Sequence, residues 1–233
     1  MSRVFAIADL HLSLADPAKS MEVFPGWERY VERLEAAWRE TVSAEDVVVV
    51  GGDLSWGMDL QGAKRDLAFV DALPGRKLLL KGNHDYWWTT RAKIEAFFEA
   101  CGFTSLSILH NNSLETDDFW ICGTRGWMFE ENAPENAKVA AREAQRLDLS
   151  LRSTGDTVKE RVAFLHYPPV YGASVAHDMV EVMLRYGVAR CYYGHVHSRS
   201  AHSYALNGRY EGIDMSLIAA DYLRFVPRRI PAL

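Results

Sequence analysis

Basic residues are in short supply in this chain: 26 Lys and Arg stand against 31 Asp and Glu, a formal net charge of -5. A protein that tracks a nucleic-acid backbone usually rests on a basic face, so this balance argues against an extended nucleic-acid partner. Long apolar runs are missing too. Nothing approaches the roughly 20 residues of a membrane span, and Met1-Ser2-Arg3 leads straight into a strand-like segment instead of a secretory core. A cytoplasmic protein with no membrane partner is expected. Cysteine is scarce, and the three present, Cys101, Cys122 and Cys191, are odd in number and widely spaced. They fit reduced thiols buried as small hydrophobes better than a disulfide framework. Internal repeats, low-complexity stretches and linkers are likewise absent. With 48% hydrophobic and 24% charged residues, the chain reads as one globular domain over residues 1–233. Nothing in it speaks to the oligomeric state.

What is present centres on Leu78-Leu79-Leu80-Lys81-Gly82-Asn83-His84-Asp85. Three aliphatic residues form a buried strand, and an amide, an imidazole and a carboxylate follow at once. A strand covered on both faces cannot take those groups, so they belong beyond its carboxyl end, where open α/β sheets gather their ligand loops. Gly82 lets the backbone turn there.

Other strands end the same way. Residues 3–8 run into Asp9-Leu10-His11, whose polar side chains, two apart in extended geometry, face one side. They can share a metal ion or simply hydrogen-bond to each other. The β-branched Val47–Val50 suits a central parallel strand and runs into Gly51-Gly52-Asp53. Residues 161–165 end in His166 ahead of two prolines, and residues 189–193 end in Gly194-His195-Val196-His197. Between them, apolar periodicity predicts helices over 27–42, 59–73 with Asp59 as N-cap, 89–100, 135–152 and 178–186. Short strands are expected at 106–109 and 119–122, and a β-rich hairpin region after Tyr204. The succession favours a right-handed parallel arrangement. Trp27 and Trp38 read as helix packing, and His110, His177 and His202 as surface or structural. Arg125, between Gly123-Thr124 and Gly126, is either a phosphate clamp or a solvated loop arginine.

Five strand ends carrying Asp9, His11, Asp53, Asn83, His166, His195 and His197 should converge on one edge. Seven such side chains are too many for one tetrahedral zinc site and suit two ions sharing a carboxylate. The ordered set Asp-X-His, Gly-Gly-Asp, Gly-Asn-His-Asp, a lone His and Gly-His-X-His, spread from Asp9 to His197, closely resembles the calcineurin-like metallophosphoesterase superfamily. That resemblance implies an α/β fold, a four-layer sandwich of two facing mixed β-sheets flanked by helices, with the metal site at the carboxyl ends of the strands. It implies that Asp9, His11 and His197 hold one ion, that Asn83, His166 and His195 hold a second, and that Asp53 bridges them. It also implies that His84 faces the substrate, its ring oriented by Asp85. The segment Leu54-Ser55-Trp56-Gly57 departs from the superfamily's frequent further acidic residue after Gly-Asp, and Leu165 stands where a small residue often precedes the lone histidine.

Mixed imidazole, carboxylate and amide ligands suit Mn, Fe or Zn better than calcium. Two divalent ions outweigh two carboxylates, and that positive surplus favours a phosphate over a neutral amide. Metal coordination lowers the pKa of bound water from about 15.7 to about 7. The expected reaction is therefore hydrolysis of a phosphate mono- or diester by in-line attack of a hydroxide bridging the ions, without a phospho-enzyme. The partner would be a small phosphorylated substrate or nucleotide. The same site could serve a nuclease or cyclic-nucleotide diesterase, with Trp56, Trp87, Trp88 or Trp127 stacking a base. A catalytically silent metal-binding scaffold is a further alternative, against which the presence of His84 beside a complete ligand set argues.

Overall fold

A computed structural model describes residues 2–127 and 134–232. Its first half alternates strand and helix: β1 (Val4–Ile7), α1 (Tyr30–Thr41), β2 (Val47–Val50), α2 (Lys64–Asp71), β3 (Arg76–Leu79), α3 (Arg91–Cys101) and β4 (Leu106–Ile108). The four strands pair in parallel, in chain order. The second half adds β5 (Ser113–Glu115), β6 (Phe119–Thr124), α4 (Pro134–Arg152), β7 (Glu160–Leu165), β8 (Val170–Tyr171), β9 (Ser174–Val175), α5 (His177–Arg185), β10 (Arg190–Tyr193), α6 (Arg199–His202), β11 (Gly208–Tyr210), β12 (Ile213–Leu217) and β13 (Arg228–Ile230). Here the order is β11-β12-β10-β7-β6-β5, parallel from β12 to β6 with an antiparallel strand on each edge. The last strand returns to the first sheet and pairs antiparallel with β1.

Side-chain alternation along the strands builds the layers. Phe5, Ile7, Val48 and Val50 point to one side, where they pack with Leu34 and Trp38 of α1, Leu67 of α2 and Ile94 of α3. Val4, Ala6, Val47, Val49 and Leu78 point to the other and meet Phe119, Ile121, Val162, Phe164 and Tyr192 of the second sheet. The outward face of that sheet, with Ala163, Cys191 and Met215, is covered by Leu147 of α4 and Met183 of α5. The fold is thus mixed α/β, with two large mixed sheets facing each other and helices outside both. All three cysteines are free thiols, Cys122 and Cys191 buried.

Several boundaries differ from the sequence reading. The helix expected from residue 27 starts at Tyr30, because Arg29 takes a left-handed conformation (φ 50°). The helix expected from Asp59 starts only at Lys64. Asp59 caps a preceding turn instead, accepting from the Gly62 N–H at 2.8 Å. The five site-bearing strand ends are shared between the sheets, three from the first (β1, β2, β3) and two from the second (β7, β10).

Lys77 is buried within β3, and among the described residues no carboxylate lies within ion-pair distance of it. Its Nζ donates to the carbonyls of Asp71, Leu73 and Gly75 at 3.1, 2.5 and 2.8 Å, around the end of α2. Burial pushes the amine down to about 8. An unfolded lysine titrates near 10.4, so between these values the unfolded chain holds more protons and stability rises with pH. Lys77→Met removes that contribution. Urea unfolding of both proteins at pH 7.5 and 9.5 is expected to show the stability gap between wild type and variant growing in favour of the wild type at the higher pH.

Candidate metal centre

The chain leaves β1 and β2 side by side and stays paired through the loops. Asp9 N–H donates to the Gly52 carbonyl, His11 N–H to that of Asp53, and Leu12 N–H to that of Leu54, all at 2.9 Å. This ladder holds side chains that an ordinary strand could not present. Asp9, His11, Asp53 and His195 all have positive φ (61°, 44°, 51° and 70°), an unfavourable region for residues with a Cβ that tends to be retained at functional sites. Gly82 is required by proximity, since a Cβ there would overlap the Asp53 carboxylate and backbone nitrogen.

Two groups of donor atoms result. Asp9, His11 and His197 place one ligand atom each within 4.8 Å of one another, and Asp53, His166 and His195 do the same. Asn83 joins the second group, its Oδ1 lying 2.7 Å from His166 Nε2 and 2.8 Å from His195 Nδ1. Asp53 Oδ2 sits between the groups, 3.7 Å from His11 Nε2 and 3.5 Å from His166 Nε2. It is buried and, among the described residues, meets no hydrogen-bond donor. Leaving a buried carboxylate oxygen unsatisfied is costly, and a cation removes the cost. The donor set therefore fits two cations with Asp53 between them.

Charge tells the same story. Burial lowers His166 and His195 to about 3 and His11 well below its ordinary value, so these rings are neutral and offer lone pairs. Burial, with the Asp85 and Asp9 carboxylates nearby, raises Asp53 well above the usual carboxylate range. Burial works to lower His197 as well, but the carboxylates of Asp9 and Asp221 outweigh it and lift that ring to about 10. The lowered rings record burial and crowding by their neighbours, while the raised Asp53 and His197 record carboxylates that call for positive charge.

His84 stands apart from the donor groups. Its backbone N–H donates to Asp53 Oδ1 at 2.8 Å, and its half-buried ring lies 4.6 Å from that of Trp56 and 5.7 Å from that of His11. Asp85 does not orient it. Asp85 Oδ2 accepts from Gly82 N–H and Asp53 N–H at 2.7 and 2.9 Å, while Oδ1 accepts from Leu54 N–H, Ser55 N–H and the Trp87 indole at 2.9, 3.3 and 2.9 Å. The expectation that it holds the His84 ring is corrected: five donors occupy the carboxylate, and its work is to tie the Gly82 turn to the Asp53 turn. Arg125 is held on one side only, its Nε buried and without a hydrogen-bond partner among the described residues. Its guanidinium lies 3.5 Å from the buried Glu143 carboxylate and 5.0 Å over the Trp127 ring.

Some participants carried no signal in the sequence. Asp221 reaches His197 Nδ1 at 3.4 Å and His202 Nε2 at 3.4 Å, so His202, read as surface or structural, adjoins the site. Trp56 stacks on His11, with centroids 4.9 Å apart. Trp27, read as helix packing, lies ahead of α1 and sets its ring edge-on against His11 and His197. Of the aromatic trio after Asp85, Trp87 is buried and Tyr86 half exposed. Outer residues that orient ligands commonly govern metal affinity by about 10- to 100-fold. Asp85→Asn is therefore expected to weaken Mn²⁺ binding in calorimetric titration by about that factor; unchanged affinity with slowed turnover would return Asp85 to the ring-orienting role.

A family model described as calcineurin-like phosphoesterase matches residues 2–199. Two curated phage proteins are similar over part of the chain. The Gene 66 protein of Mycobacterium phage L5 is 32% identical over 36% of this chain and 41% of its own length. The Gene 66 protein of Mycobacterium phage D29 is 30% identical over 47% and 64%. The chain thus spans less than two thirds of either relative. Among solved structures, phosphopantetheinyl hydrolase (PptH) from Mycobacterium tuberculosis superposes with a TM-score of 0.61 at 14% identity, covering 98% of this chain and 95% of that one. The protein of unknown function AQ665 from Aquifex aeolicus superposes with a TM-score of 0.55 at 15% identity, covering 98% and 96%. At such identities the likeness is one of fold. The family model extends over most of the chain and reaches past the Gly-His-X-His strand end, and on that extent this protein belongs to the calcineurin-like phosphoesterase family.

Proposed function

We propose that the protein is a phosphoric ester hydrolase dependent on two metal ions, acting within the cytoplasm on a small phosphorylated molecule or nucleotide. The observation that carries this reading is the orphaned, buried Asp53 Oδ2 between two sets of donor atoms. Asp9, His11 and His197 would hold one ion, Asn83, His166 and His195 the other, and Asp53 both; Mn, Fe or Zn suits such donors. When bound, the ions would supply Lewis acidity, offsetting phosphate charge and making a water-derived nucleophile available near neutral pH.

The chain's own residues do the rest. The N–H of His195 donates to both oxygens of Asp9, at 3.0 and 2.9 Å, which fixes that carboxylate toward the first group. The carbonyl of Gly51 lies 3.1 Å from His166 Nδ1 and sets that ring so that Nε2 faces Asn83 and Asp53. His84 would donate to a phosphoryl oxygen or protonate the departing one. A base-stacking role fits poorly for Trp87, which is buried against Asp85, and Trp56 already covers His11. These contacts favour a small ester over a single-stranded polymer.

The test is a steady-state assay on p-nitrophenyl phosphate and bis(p-nitrophenyl) phosphate with added Mn²⁺. Chelation should abolish turnover, and Mn²⁺ should restore it. His84→Ala is expected to lower kcat by about 10²- to 10⁴-fold with metal content unchanged, and full activity in that variant would remove His84 from the chemistry. A preparation that holds two ions per chain yet turns over neither ester would revive the scaffold reading.

A further inference from the structure

Beside the Asp9, His11 and His197 group lies a cavity of about 630 Å³, within the range of small-molecule sites. Met21, Phe24, Pro25 and Trp27 line it together with His197 and Asp221. Trp27 is the shared wall: its ring is 5.8 Å from that of His197 and 6.1 Å from that of His11. Phe24 is 52% exposed and its neighbour Val23 77% exposed. Single apolar residues in water are ordinary, but Phe24 is held at the cavity by fixed backbone. Phe24 N–H donates to the Met21 carbonyl at 2.9 Å and Trp27 N–H to the Phe24 carbonyl at 3.1 Å. Arg33 clamps the Gly26 carbonyl at 2.9 Å.

We propose that this cavity seats the leaving group, and that the substrate is the phosphate ester of an alcohol with a largely apolar body; the inference rests on the phosphoesterase reading above. The polar groups present leave little for a nucleobase. Asp221 is engaged by His197, by His202 and by the N–H of Ser198 at 3.0 Å. Phe24 and Pro25 offer no side-chain donor or acceptor and Met21 only a weakly accepting sulfur, the Ser198 hydroxyl is engaged by Ser200 and the Ala201 N–H, and the Trp27 indole is the remaining neutral donor. Arg199, exposed and without an ion pair among the described residues, is the one charge at the cavity free to meet a polar end of the alcohol. Such a subsite selects by chain length, through contacts shared by ground and transition states, so it lowers KM and leaves kcat alone.

Alkyl phosphonates from ethyl to octyl test this by calorimetric titration of the Mn²⁺-loaded protein, alongside hydrolysis of the matching alkyl phosphates. Affinity is expected to rise about two- to fourfold per methylene in the wild type. Phe24→Ala should reduce that slope, Phe24→Leu should keep most of it, and for the longer esters Phe24→Ala should raise KM with kcat unchanged. Affinity independent of chain length, no binding at any length, or a slope untouched by Phe24→Ala would overturn the subsite. Length-dependent phosphonate binding without ester turnover would uphold the subsite and sink the phosphoesterase reading; turnover with a flat series would do the reverse.

Discussion

Three carboxylates, Asp9, Asp53 and Asp85, lie out of water in one cluster of loops, and each is kept there by different means. Asp85 is surrounded by backbone N–H groups and an indole and needs no cation. Asp9 is met by the N–H of His195. Asp53 is the residue for which the protein alone provides too little: one oxygen accepts from His84 N–H, and the other faces only imidazoles. Burying an unpaired charge is among the most expensive things a fold can do. The positive φ values at Asp9, His11, Asp53 and His195, and the overlap that bars any side chain from Gly82, are the local cost of that arrangement.

The same cluster joins the two halves of the molecule. Asp9 and His195 are 186 positions apart in the chain, and Asn83 and His166 are 83 apart. No single supersecondary unit contains a complete donor group, so neither group can form before both sheets have docked. Contacts of such separation are made late and slowly.

Much of this was legible in the sequence because it depends on local rules. The four valines of β2 and the aliphatic runs before Gly82 and His166 announce strands buried on both faces. The polar residues after them announce where those strands stop, and the residues of the ordered motif are the ones the fold brings together. What escaped had no local signature. Asp221 follows Ala219-Ala220 like any loop acid, and only the return of β12 beside β10 brings it to His197. The family resemblance implies that Asp85 orients the His84 ring, whereas tertiary contact with the Asp53 turn claims both its oxygens. Strand β13, Arg228-Arg229-Ile230, has neither alternation nor β-branched enrichment to mark it, and its pairing is imposed by the edge it covers.

That covering strand bears on more than architecture. Val4, Phe5 and Ala6 pair with β2 on one side and with Ile230, Arg229 and Arg228 on the other. Without those last residues β1 would become a bare apolar edge, a ready template for another chain to add a strand. The two arginines also put charge along the new boundary of the sheet, a common guard against edge-to-edge growth. The C-terminal segment thus shields the open edge of the strand that delivers Asp9.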